Sequence, residues 1–195
     1  MAVNKADIAA MREALQAYDE QRELLIKKSR DVLKLSKQVI YAVHRDELAA
    51  AEKLAAQIRK EKDALAKIAQ HDLSLEDEGS YRVALQEYAE ALLYLSFIKN
   101  KKLATRKELD IEPLHYVLGL CDLTGELVRK AVFLAGKGHF DEVVAIRDLV
   151  DELYGELLAF DFRDNDLRRK FDAVKYDLRK LEDLVLDLKL KGRMG

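Results

Sequence analysis

Proline and cysteine each occur once in these 195 residues, tryptophan not at all, and glycine only eight times. With so few breakers the chain has little material for tight turns, which favours long helices over a sheet. The lone Cys121 excludes an intramolecular disulfide and suits a reducing compartment. No apolar run approaches the ~20 residues needed to cross a bilayer. The N-terminus is amphipathic, carries acids from its first turns and has no signal-peptide core. An excess of one charge sign is missing too: 36% of residues are charged, yet the net charge is only −2. That excludes a wholly basic nucleic-acid binder, so any surface for a polyanion has to be segregated onto one face. No linker, repeat or low-complexity tract divides the chain. A single cytoplasmic domain over residues 1–195, with no membrane partner, is therefore expected.

What is present is a succession of helical patterns. Lys5 to His44 reads as one long helix, with Leu24, Leu25, Val32, Leu35, Val39, Ile40 and Val43 inward. Along one edge Lys27, Arg30, Lys34, Lys37, Tyr41 and His44 follow 3-4-3-4-3 spacing. Such an edge is either a solvated basic face or a track for a phosphate backbone, with Tyr41 free to stack on a base. Asp46 to Ala69 continues helical, as a second helix or a bent continuation. His71 to Ser80 reads as a loop, and Leu109 to Pro113 as a break with Pro113 in the first turn of the next helix. Phe140 to Phe160 is amphipathic. The final helix, opened by Asp164, carries Leu167, Phe171, Val174, Leu178, Leu181, Val185 and Leu188 in 4-3 alternation, the pattern of one helix lying along another.

Two stretches depart from amphipathicity. From Ala84 to Ile98 eleven of fifteen residues are apolar, all the way round a helix, which implies burial. Yet Glu87 and Glu90 stand on one face, between Val83 on one side and Tyr94 and Phe97 on the other. Leu114 to Ala135 repeats the pattern, with Asp122 and Glu126 on one face, Gly119 a turn below and Arg129 a turn above. If the two helices pack face to face, four carboxylates converge. At ~5 Å and an effective dielectric near 20, each like-charged pair repels by roughly 3 kcal/mol. Protonation, cations such as Arg129, or a divalent metal must compensate. All-oxygen donors select Mg²⁺ or Mn²⁺, and a metal beside a basic groove suits phosphodiester hydrolysis. Separate buried salt bridges are the structural alternative. A di-metal oxidase bundle wants two Glu-x-x-His motifs, and only Glu112 with His115 approaches one, across Pro113. His115 itself reads as ligand, proton carrier, or packing near a helix start.

LQEYAEA (Leu85–Ala91) and DLTGELVRK (Asp122–Lys130) resemble the two signature segments of the translin family, specifically its translin-associated factor X (TRAX) branch. Lys27–Arg45 is similar to the first helix of that branch, and Leu167–Arg193 to the family's C-terminal helix, nearer to translin itself. The resemblance implies an all-α, translin-like single-domain bundle of about six or seven helices that assembles into a closed, octamer-like homo-oligomeric shell around RNA, with single-stranded DNA a further ligand. It also implies a metal-dependent endoribonuclease. Glu87, Glu90, Asp122 and Glu126 would be both catalytic residues and ligands of Mg²⁺ or Mn²⁺. Lys27, Arg30, Lys34, Lys37 and Arg45 would guide RNA, and Arg129 would support the acids. A translin-like shell that binds nucleic acid without cutting it is the alternative the resemblance leaves open.

Overall fold

The structure, a computed structural model, describes residues 3–192, and among these it contains seven α-helices and no strand. The first, α1, spans Lys5–His44 and starts where the Asn4 side chain accepts hydrogen bonds from the backbone N–H groups of Ala6 and Asp7. Its early turns project beyond the bundle and leave Ile8, Met11 and Leu15 exposed. From Leu25 onward its apolar stripe is buried, although Leu24 faces solvent. The chain reverses at Arg45–Glu47, where Asp46 adopts a left-handed φ of 61°, so Leu48–Ala69 (α2) is a separate helix. The buried Lys130 ion-pairs with Asp46 and holds the carboxyl below its ordinary range, fixing this corner from across the fold.

A short 3-10 turn at Leu73–Asp77 interrupts the expected loop and buries Leu75. The central helix α3, Gly79–Asn100, is almost wholly enclosed from Ala84 to Leu95, as its composition requires; Val83 is the exception and faces solvent. A one-turn helix, α4 (Arg106–Leu109), follows. It is set by a capping box in which Thr105 and Glu108 satisfy each other's backbone N–H groups. Pro113 begins α5 (Pro113–Lys137), which stops at Gly138 with φ 82°. Then come α6 (Phe140–Leu157) and α7 (Asn165–Leu190), the latter capped by Asp164. The 4-3 seam of α7 is the buried one, with Phe171 partly covered.

Packing proceeds in chain order across the bundle. α1 lies on α2 and α3, α3 on α5, and α5 on α6 and α7. α3 and α5 come close together at Gly119. A Cβ placed on Gly119 would stand 2.5 Å from the Ala89 Cβ and 3.0 Å from the Glu90 backbone nitrogen. Gly119 therefore lets α5 approach the backbone of α3 at the turn that carries the acids. None of the described helices is long and apolar enough to cross a membrane.

Gly119→Ala should destabilise the protein by roughly 1–3 kcal/mol in denaturant titrations, because overpacking outweighs the helix propensity gained. Adding Ala89→Gly should restore much of that loss. An additive double variant would mean that the two residues do not touch.

Candidate functional site

Three helices bring the sequence-predicted acids together. α3 supplies Glu87 and Glu90, α5 supplies Asp122 and Glu126, and α1 closes the site with Lys37, Ile40 and Tyr41. Glu87, Glu90 and Glu126 line one cavity of about 320 Å³ together with those α1 residues and Arg129. The face-to-face packing expected of the two apolar helices is thus realised, and the two acid pairs share one neighbourhood.

The four carboxylates are not equivalent. Asp122 is tied off, with the Lys170 ammonium from α7 at 2.6 and 2.9 Å from its two oxygens and the Gln86 amide donating to it as well. Glu126 is bonded to His44 Nε2, while the Tyr94 hydroxyl contacts His44 Nδ1 at 3.1 Å. The His44 hydrogen bond outweighs burial and holds the Glu126 carboxyl below its ordinary range. Arg129 stands 3.8 Å from the same carboxylate, on an exposed side chain. Glu87 and Glu90 have no ion-pair partner among the described residues. Burial pushes Glu87 up, partly offset by Lys37. Glu90 is only 8% exposed. Burial first, then the charges of Asp122, Glu87 and Glu126, raise its carboxyl from 4.5 to about 8.

These donors suit a hard divalent cation. All are oxygens, and the most buried lacks a counter-charge. Among the described residues no three His, Cys, Asp or Glu side chains are drawn into a preformed metal cage.

The basic edge of α1 leads to the same place. Lys27, Arg30, Lys34 and Lys37 are all exposed, and none forms an ion pair among the described residues. Their neighbour Lys28, one residue off the edge, is spent on Glu61 and Asp31. Arg45 is engaged with Glu47, and its guanidinium sits 5.6 Å from the Tyr41 ring centroid. Lys27 lies out along α1, while farther along the same edge Lys37 and Tyr41 form the cavity wall. His115 is elsewhere: it is buried, edge-on to Tyr81, beside a different pocket with Lys62 and Asp110. Burial and Arg82 lower its affinity for a proton. Two groups that touch the acids, His44 and Lys170, were not among the expected site residues. His44 lay on the recognised stripe, but no local signal marked Lys170.

Residues 20–192 match the model of the Translin family. Translin-associated protein X of Mus musculus is 27% identical over 227 aligned residues, covering 94% of this chain and 77% of its own. The crystal structure of apo-NeC3PO is similar with a TM-score of 0.86 at 25% identity, covering 95% of this chain and 98% of its own. AfC3PO in complex with duplex RNA shares the fold, with a TM-score of 0.83 at 20% identity over 95% and 97% of the two chains.

The unpaired Glu90 makes stability depend on pH in a defined direction. Its folded-state value lies above its unfolded one, so the penalty is absent below about pH 4.5 and grows as pH rises to about 8. Glu90→Gln should therefore stabilise the metal-free protein by a few kcal/mol at pH 8–9 and leave it little changed near pH 5. Equal effects at both pH values would show that Glu90 is not buried as a charge.

Proposed function

Because the chain belongs to the translin family, we propose that it is a divalent-metal-dependent endoribonuclease that binds RNA within a homo-oligomeric shell. The observation that carries this reading is Glu90: a carboxyl kept inside the fold without a counter-charge, on a cavity shared with Glu87 and Glu126. A purely structural role gives no return on that cost, since an apolar residue there would be the more stable choice. Cation binding does.

In this reading Glu87, Glu90 and Glu126 hold Mg²⁺ or Mn²⁺, and Asp122 joins them in exchange for Lys170. When bound, the cation would supply a water-derived nucleophile near neutral pH and offset charge on the phosphodiester under attack. His44 fixes the orientation of Glu126 and is itself held by Tyr94. Lys37 and Arg129, on the cavity wall, receive the phosphate to be cleaved. Lys27, Arg30 and Lys34 neutralise the phosphates leading up to it, with Arg45 beside them. AfC3PO, whose structure contains duplex RNA, shares this fold and so supports RNA as the polyanion. The helical bundle shared with these proteins supports assembly of several copies.

Glu126→Ala should abolish cleavage of a labelled oligoribonucleotide in Mn²⁺, by about 100-fold or more if removing a metal ligand also removes the chemistry. RNA affinity in EDTA and the subunit number should stay unchanged. Full cleavage by that variant, or by the wild type in excess EDTA, would contradict the nuclease. Salt-sensitive binding without any cleavage would instead identify a shell that only holds nucleic acid.

A further inference from the structure

A second, larger cavity adjoins the acidic one. It has a volume of about 860 Å³ and lies between α1 and α2, floored by Leu33, Ala42, Ala50 and Leu54. Lys37 and Tyr41 line both cavities and form the wall between them. Tyr41 is 58% exposed. The Arg45 guanidinium beside its ring is itself anchored at 2.7 Å to Glu47, so the ring is braced before any ligand arrives. Arg30 and Lys34 stand on the rim without acidic partners.

We propose that this groove is a nucleobase subsite. Resting on the nuclease reading above, it takes one unpaired base of the RNA, stacked on Tyr41, while the adjoining phosphate sits at Lys37 facing the acids. The chemistry matches on each side of the wall. A base presents a flat, weakly polar face, suited to an aromatic ring over an aliphatic floor. The phosphates on either side of it carry the charges that the rim cations lack. Tyr41 acts here as a binding and positioning residue, setting which phosphate stands over the acids.

Metal-free binding separates this subsite from the cleavage chemistry. Fluorescence anisotropy in EDTA would compare a short single-stranded oligoribonucleotide with an abasic strand of the same length, using the wild type, Tyr41→Phe and Tyr41→Ala. The expected result is a loss of about 5- to 100-fold for Tyr41→Ala with the normal strand, near-wild-type affinity for Tyr41→Phe, and little change for either variant on the abasic strand. Equal loss on both strands, or none on either, overturns the subsite. So does a changed subunit number for Tyr41→Ala by light scattering without a base-dependent loss, which would make the groove a contact between copies. Failure here with Mn²⁺-dependent cleavage intact removes the subsite alone. Loss of cleavage in Glu126→Ala bears only on the nuclease.

Discussion

Repulsion among carboxylates held between two closely packed helices is the constraint from which the rest of this structure follows. α3 and α5 approach so nearly at Gly119 and Ala89 that only the Ala89 methyl lies between them and a second one at position 119 would collide with it. The turn next to this contact carries Glu87 and Glu90 on one helix, with Asp122 and Glu126 on the other. Burial in such a place destabilises an ionised group by several kcal/mol unless something compensates it. The fold compensates only half of the set.

Those two compensations come from the periphery of the bundle. Lys170 reaches in from α7 to Asp122, and His44, held by Tyr94, reaches from the end of α1 to Glu126. The corner just beyond His44 is itself fixed to α5 by the Lys130–Asp46 pair, so the imidazole is delivered from a rigid support. Glu90 is left facing the cavity without an ion-pair partner, and Glu87 with its charge only partly offset by Lys37. That imbalance is costly for an empty site and favourable for one that takes a cation. It ties the stability of the protein to the chemistry proposed for it. The same α1 that positions His44 carries the row of unpaired cations outward, so one helix links the acids to the surface that would meet a polyanion.

Much of this was legible in the residues alone. The bounds of α1, the seam of α7 and the sharing of a face within each acid pair follow from periodicity and composition, since 3.6-residue spacing dictates which side chains share a face. That the two pairs meet depends on the packing of α3 on α5. A glycine inside an apolar helix, one turn from an acid, leaves room for another helix or a ligand to come close, and at Gly119 it is α3 that does so. Other features depend on contacts between distant segments. Lys170 is 48 residues from Asp122 and His44 is 82 from Glu126, separations across which periodicity carries no information. The corner at Asp46 has neither glycine nor proline to announce it, being stabilised instead by Lys130. The Thr105–Glu108 capping box was a readable signal for α4, hidden within a run of lysines and arginines. Val83 and Leu24 were expected inside by hydropathy and face solvent, because they lie on the side of α3 and α1 away from the packed one, where Ala84 and Leu25 are buried.

The most direct measurement is diffraction at an energy sensitive to manganese, on crystals soaked in Mn²⁺ near pH 8, where Glu90 begins to ionise. The account predicts an anomalous peak in the cavity between α1, α3 and α5, bonded to Glu87, Glu90 and Glu126, and loss of that peak in Glu90→Gln. A cavity without density, or manganese bound only at other surface acids, would contradict it.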